Sequence, residues 1–298
     1  MENLNKGLET IINQAAMQSG GLPELPVKTE YLRKCAGMCN ATITLHTFKD
    51  GTTKESGCKC DAYKALAKKQ EGHKQRQFIK QSKLPYSKYQ ADFDKYVTTD
   101  DKRHKLAKAA SMQFAKNFTE NFNEKAKFKK VADYASENNL TIDEANKELG
   151  LDASEKAEDI KTSLIMMGTP GTGKTMLSCA IFYEVAAQGF KCFFIESTLY
   201  IEMLKDSFDD KNKKATLLRF IQEADLLIVD DIGTSFNSPW AVEQFKMLTD
   251  MRKDKFTIYT TNLKEAEFLN DTSLNRIYSR MNQGAYRLKM DFKDKRIN

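Results

Sequence analysis

The chain has 298 residues, of which 41% are hydrophobic and 30% are charged, so it can bury a sizeable core and still expose a polar surface. No apolar run approaches the roughly 20 residues that a membrane helix needs, and the N-terminus lacks the pattern of a signal peptide. These features exclude a membrane protein, and we expect a cytoplasmic chain of about two domains with reduced cysteines.

The net charge is +6, and the positive excess is local, because Lys and Arg outnumber Asp and Glu over residues 61–130. A basic stretch of this kind suits nucleic acid or an acidic partner. A solvated helical face would explain it equally well.

The first third of the chain predicts two helices and a hairpin. Residues 1–19 carry apolar residues at helical spacing, and residues 61–82 are rich in Lys, Ala and Gln up to the helix breaker Pro85. Between them, residues 43–48 alternate in polarity before the turn dipeptide Asp50-Gly51, which is typical of a small hairpin.

Four cysteines flank this hairpin, as Cys35-x₃-Cys39 and Cys58-x-Cys60. Four thiolates suit a closed tetrahedral Zn²⁺ site, and a metal would stabilise a domain with little core. His46 or His73 could replace one cysteine, and free thiols are the alternative. We expect residues 1–82 to form a small N-terminal domain, helical and zinc-binding.

Residues 101–162 predict helices and no strand. From residue 101 onward, Leu106, Ala110, Phe114 and Phe118 recur four apart, which predicts a helix. Residues 119–162 are polar and helix-prone, and we expect Thr141 to cap a helix there together with Glu144.

After residue 162 strands and helices alternate, which favours a parallel sheet. An apolar strand, Leu164–Met167, leads into a G-x-x-x-x-G-K-T motif, and an amphipathic helix over Met176–Ala187 follows it. Glycines let backbone N–H groups wrap phosphates, the lysine reaches the β- and γ-phosphates, and the threonine hydroxyl binds Mg²⁺. The predicted nucleotide-binding residues are Gly168, Thr169, Pro170, Gly171, Thr172, Gly173, Lys174 and Thr175.

Two later strands predict the rest of an ATP site. The apolar run Leu226–Val229 ends in Asp230 and Asp231. We assign Asp230 to Mg²⁺ and Asp231 to the attacking water as general base. A third strand, over Phe256–Thr260, leads to Asn262, whose side chain can bond the γ-phosphate or the water; an ordinary turn also suits a strand-end Asn.

Taken in order, GTPGTGKT, LLIVDDIG, YTTNL and RIYSRM resemble the DnaC/DnaI helicase loaders, and the insertion-sequence ATPase IstB is a close relative. The resemblance covers residues 84–118 and 163–298. It implies an α/β fold with an AAA+ P-loop core over residues 83–298, a parallel sheet flanked by helices and a truncated lid. Residues 119–162 remain an unassigned helical insertion.

The same resemblance implies residue roles. Asn262 matches the sensor 1 position, and Arg280 matches the arginine finger that reaches a neighbouring subunit's ATP, with Arg276 as the alternative. Arg296 stands at the sensor 2 position, although Lys295 replaces the usual tyrosine before it.

The resemblance implies an ATPase that loads the hexameric replicative helicase onto single-stranded DNA. The N-terminal domain of the chain would bind the helicase, and the chain would act as an oligomer. The segment Ser197–Phe208 matches a helix that touches DNA in initiator-type relatives, and nearby lysines could contact phosphates, namely Lys205, Lys211, Lys213 and Lys214. One alternative is an IstB-like transposition ATPase that binds DNA and recruits a transposase, although IstB-like chains lack the cysteine cluster. Another is an ATP-dependent adaptor that hydrolyses little.

Overall fold

The computed structural model describes residues 27–34, 42–48, 53–56, 60–98, 101–154, 157, 159–208 and 210–292. The chain divides into two compact units, Met1–Gln70 and Glu71–Asn298. The division falls inside the first described helix, α1 (Cys60–Gln81), N-terminal to the predicted domain boundary at residue 82. None of the helices in these ranges is long and apolar enough to cross a lipid bilayer.

The N-terminal unit contains a three-stranded antiparallel sheet of β1 (Lys28–Lys34), β2 (Thr42–Thr47) and β3 (Thr53–Ser56), in that order. The β2–β3 pair confirms the predicted hairpin, and its register places Thr47 opposite Thr53. The helix predicted over residues 1–19 lies outside the described residues.

Three helices precede the sheet of the second unit: α2 (Lys102–Lys116), α3 (Phe118–Asn138) and α4 (Ile142–Leu149). Thr141 caps α4 as predicted, because its hydroxyl accepts the Glu144 N–H while the Glu144 carboxylate accepts the Thr141 N–H. The described part of residues 119–162 is helical and contains no strand.

Only part of the apolar row that predicted α2 faces the core. Phe114 and Phe118 are buried, but Leu106 is 65% exposed, and the buried side of α2 begins at His104 and Ala107 instead. Residues four apart lie about 40° apart around a helix with 3.6 residues per turn, so over several steps the row drifts off one face.

The second unit is built on a five-stranded sheet in which every neighbouring pair is parallel. Its order is β5-β6-β7-β4-β8. The strands are β4 (Ser163–Met167), β5 (Cys192–Glu196), β6 (Leu226–Ile232), β7 (Thr257–Thr261) and β8 (Ala285–Lys289). The sequence patterns did not predict β8, which is largely exposed and lies at the edge.

Six further helices connect and cover these strands: α5 (Lys174–Ala187), α6 (Ser197–Lys205), α7 (Lys211–Glu223), α8 (Pro239–Met251), α9 (Glu265–Leu269) and α10 (Thr272–Asn282). Successive strand residues point to opposite faces, so Ile165 joins one apolar cluster with α6, α7, α8 and α10, while Leu164 joins a second with α2 and α5. Helices on both faces confirm the predicted α/β class with a flanked parallel sheet.

The strand order brings the functional motifs together. Because β7 lies beside both β4 and β6, the carboxyl ends of these three strands meet at one edge. Ligands of open α/β sheets bind at this edge, so the loop after β4, the acids ending β6 and the residue after β7 fall within reach of each other.

Candidate functional site

The loop between β4 and α5 can exist only with glycines at three places. Gly168, Gly171 and Gly173 have φ values of 152°, 75° and 90°, a region that side-chain-bearing residues rarely adopt. A Cβ on Gly168 would lie 2.5 Å from the backbone of Met290. The loop ends where α5 begins, at a helix N-terminus without a side-chain cap, and such ends attract anions.

Lys174, the first residue of α5, is buried and folds back over the loop. Its ammonium donates to the carbonyls of Gly168 and Thr169 and to Oδ1 of Asn262, each at 2.8 Å. One cation thus joins the loop to the end of β7.

Asp230 lies between two hydroxyl groups at the end of β6. The Thr175 hydroxyl is 3.1 and 3.0 Å from its two carboxylate oxygens, and the Thr260 hydroxyl donates to Oδ1 at 2.6 Å. Burial raises the pKa of Asp230 to about 6, against the opposing effect of these hydroxyls. Hydroxyl and carboxylate oxygens are the donors that Mg²⁺ takes in proteins, so Thr175 and Asp230 fit the ion predicted for them.

Asp231 adopts a left-handed backbone conformation with φ of 54°. Its N–H donates to the Thr260 hydroxyl at 2.9 Å, and its carboxylate accepts from Nδ2 of Asn262 at 2.8 Å. Burial and the charge of Glu196 raise its pKa above the usual range. Holding a non-glycine residue in this backbone conformation costs about 1–3 kcal/mol of folding free energy, and such residues concentrate at functional sites.

These groups surround one cavity of about 330 Å³. Its lining includes the predicted residues Pro170, Gly171, Gly173, Lys174, Thr175, Asp230, Asp231 and Asn262. The side chains of Thr169 and Thr172 instead brace the loop, because the Thr169 hydroxyl donates to the Phe292 carbonyl at 3.2 Å and the Thr172 hydroxyl to the Thr169 carbonyl at 3.0 Å.

Sequence reasoning missed seven lining residues. Met176, Phe194 and Thr260 belong to α5, β5 and β7; the others are Lys83, Pro85, Tyr86 and Glu196. Glu196 carried a usable signal, since it is an acid at the end of an apolar strand, as Asp230 is. Lys83, Pro85 and Tyr86 lie in the connector between α1 and α2, where nothing in the local pattern indicates a ligand.

The two predicted arginine-finger candidates lie on α10, and neither lines this cavity. Arg280 forms an ion pair with Asp250 of α8. Arg276 lines a second cavity, of about 470 Å³, together with Ser238 and Lys246. Arg296 lies outside the described residues.

The predicted zinc site falls mostly on residues that the structure does not describe. Cys35, Cys39 and Cys58 lie outside the described ranges, and Cys60 is the first residue of α1. Of the alternative ligands, His46 bonds the hydroxyls of Thr29 and Thr44, and His73 bonds Gln77. Within the described ranges no three His, Cys, Asp or Glu side chains are grouped as a metal site.

Comparison with known proteins identifies the family of the second unit. The family model described as IstB-like ATP binding protein matches residues 119–276, more than half of the chain. An ATP-binding protein of insertion sequence IS5376 from Geobacillus stearothermophilus is 33% identical over 75 residues, which is 25% of this chain and 30% of that protein.

The replicative helicase loader DnaC of Escherichia coli K12 is 31% identical over 91 residues, which is 30% of this chain and 37% of the loader. The chain therefore spans about a third of the length of the curated relatives it matches. A crystal structure of the DnaC helicase loader aligns with 68% of this chain and 97% of its own, at 19% identity and a TM-score of 0.48. The family and loader matches confirm the resemblance that the motifs indicated.

Proposed function

The chain belongs to the IstB-like ATP-binding protein family, and on that premise we propose that it is an AAA+ ATPase that loads a hexameric replicative helicase onto single-stranded DNA. The observation that supports the ATPase assignment is the contact between motifs distant in sequence. Thr175 bonds Asp230, and Asn262 bonds both Lys174 and Asp231. The residues proposed for phosphate, magnesium and water thereby line one cavity.

ATP binding uses the loop and its lysine. Backbone N–H groups of residues 171–175 cradle the phosphates at the start of α5, and Lys174 moves its charge from the loop carbonyls to the β- and γ-phosphates. Thr175 and Asp230 would hold Mg²⁺, and the bound ion would neutralise charge on the phosphate oxygens. Lys83, Pro85 and Tyr86 also line the cavity, and because they belong to neither the phosphate loop nor the strand ends, we assign them to the nucleoside.

Hydrolysis uses Asp231 and Asn262. Asp231 takes a proton from a water molecule whose oxygen bonds to the γ-phosphorus, while the bond from that phosphorus to the ADP oxygen breaks. Asn262 already donates to Asp231, so it can hold the carboxylate and the γ-phosphate at a constant separation.

Arg280 completes the site of a neighbouring chain. Its side chain is 41% exposed and lies outside its own chain's cavity, paired with Asp250. An exposed ion pair of this kind contributes little stability, so the arginine can be released at low cost when chains assemble. Hydrolysis is thereby linked to subunit packing.

Mixing two inactive variants tests both roles. Arg280→Ala and Asp231→Asn chains should each bind ATP yet fail to hydrolyse it. Their mixture, assembled with single-stranded DNA and helicase, should recover activity, because some interfaces join an intact Asp231 to an intact Arg280. An arginine finger contributes about 10³–10⁵ in rate, so a minority of such interfaces is measurable by phosphate release.

Arg287→Ala is the matched control, because Arg287 is also exposed and paired, in this case with Glu265; it should keep wild-type activity. Arg276→Ala tests the alternative finger in the same assay. If the mixture stays inactive while light scattering shows assembly, Arg280 does not act across chains.

The proposed single-stranded DNA surface lies at the end of α6. Phe208 is 64% exposed, and its ring lies 5.4 Å from that of Trp240. Four lysines lie close to Phe208 in sequence, namely Lys205, Lys211, Lys213 and Lys214. The ammonium of Lys213 lies 3.9 Å from the carboxylate of Asp210. Aromatic rings that stack on bases, beside lysines that meet phosphates, are the usual elements of single-strand binding.

Trp240 is the single tryptophan of the chain, so its fluorescence reports on this surface. Single-stranded DNA should change the emission, with an affinity that falls as salt rises. Phe208→Ala should weaken binding roughly 5-fold or more, since base stacking contributes about 1–3 kcal/mol. Tyr89→Ala, at an 82% exposed aromatic elsewhere, is the control. Equal loss in both variants, or none in either, would rule out this surface.

We further propose that the N-terminal unit holds zinc and binds the helicase. The supporting observation is the strand register, which pairs Lys34 with Thr42 and Thr44 with Ser56. The end of β1, the start of β2 and the end of β3 therefore lie at one end of the sheet. Cys35, Cys39 and Cys58 follow or precede these ends within three residues in sequence.

The alternative function is that of a transposition ATPase, which the similarity to the insertion-sequence protein favours. The immobilised chain of 298 residues should capture a purified hexameric replicative helicase and should not capture a transposase of an insertion sequence. Cys58→Ser should lose about one zinc per chain by elemental analysis and lose the captured helicase, while keeping ATP binding. Capture of the transposase alone would establish the alternative.

A further inference from the structure

The outer side of the phosphate loop rests on one tyrosine from the connector that precedes α2. Tyr96 is 1% exposed, and its hydroxyl donates to the Thr172 carbonyl at 3.0 Å. Its ring also packs against Gly173, where a Cβ would lie 2.6 Å from Cε2 of the ring. Tyr96 therefore contacts both halves of the Thr172–Gly173 peptide unit.

This contact determines where a loop N–H points. The peptide unit is planar and trans, so its carbonyl and its N–H point in opposite directions. With the Thr172 carbonyl held toward Tyr96, the Gly173 N–H is directed to the other side. Gly173 lines the cavity, immediately before Lys174, and Tyr96 does not.

Tyr96 is itself held in place. Its ring lies edge-on to the ring of His104, with 6.3 Å between the ring centroids. The His104 ring in turn lies edge-on to Phe292, with 3.7 Å between the centroids. The Phe292 carbonyl accepts from Thr169, so the same group braces the loop at a second point. Burial raises the pKa of Tyr96 to about 12, so the hydroxyl keeps its proton and remains a donor at neutral pH.

We propose that Tyr96 is a positioning residue for the phosphate chain of the nucleotide: its hydroxyl turns the Thr172–Gly173 peptide so that the Gly173 N–H faces a phosphate oxygen. The inference rests on the proposed nucleotide binding. Tyr96 touches no reacting atom, so its effect belongs to phosphate binding and not to the hydrolytic step.

Tyr96→Phe tests this by removing one oxygen and keeping the ring. The matched control is Tyr200→Phe, since Tyr200 is also 1% exposed and donates to a backbone carbonyl, that of Gln244 at 3.2 Å. Without the Tyr96 hydroxyl, the Thr172 carbonyl is free and the peptide that follows it can reorient. The loss of one aligned hydrogen bond between the Gly173 N–H and a phosphate should lower nucleotide affinity about 3- to 10-fold. For Tyr96→Phe we expect KM for ATP, and Kd for ATP, ADP and inorganic pyrophosphate, to rise by that factor.

For Tyr96→Phe, the kcat at saturating ATP and the affinity for adenosine, which has no phosphate, should stay within about 2-fold of wild type. The control Tyr200→Phe should leave KM, kcat and all of these affinities unchanged. A fall in melting temperature with unchanged KM, or an equal loss for adenosine, would overturn the inference and make Tyr96 a packing residue. If wild-type protein binds no ATP, the proposed function itself fails; if wild type binds and Tyr96→Phe binds equally, only the role of Tyr96 fails.

Discussion

The buried ammonium of Lys174 is the constraint on which the site depends. A buried cation is costly unless oxygens surround it, and here three acceptors do so: the carbonyls of Gly168 and Thr169 and the side chain of Asn262. The loop can turn its carbonyls inward only because its glycines take left-handed φ values. The third acceptor requires β7 to lie beside β4, which the sheet order provides.

The same network connects the side chains proposed for nucleotide binding to those proposed for hydrolysis. Asn262 accepts from Lys174 and donates to Asp231. In the proposed mechanism, a phosphate that draws Lys174 away removes its hydrogen bond to the same side chain that holds Asp231. Asp230 is bound through Thr175 to the first turn of α5 and through Thr260 to β7. The residues proposed for nucleotide, metal and water are therefore joined by hydrogen bonds. In the proposed mechanism, Arg280 of a neighbouring chain supplies a further positive charge to the phosphates during hydrolysis.

Much of this core could be predicted from the sequence because its signals are local. The loop residues, the acids after an apolar strand and Asn262 each lie at the end of a recognisable strand, and parallel strands bring such ends together. The hairpin and the Thr141 cap were equally local. Leu106 shows the limit, since apolar spacing predicts a helix better than it predicts which side is buried.

Features that depend on contacts between distant segments could not be predicted. Tyr96 meets Thr172 from 76 positions away, and nothing around it marks it among the other aromatic residues. Arg252 is buried although arginine rarely is; its guanidinium donates to Thr257 and to the carbonyls of Ile221, Ala224 and Phe256, which joins α7 to the start of β7. β8 is short and exposed, so its pattern resembles a loop.

The most direct test of the central claim is an equilibrium titration of ATP into the Lys174→Ala chain beside wild type. Lys105→Ala, at an exposed lysine of α2, serves as the control. We predict saturable binding by wild type and by the control, and none by Lys174→Ala, because the charge that passes from the loop carbonyls to the phosphates is gone. An unchanged affinity in Lys174→Ala would contradict the account.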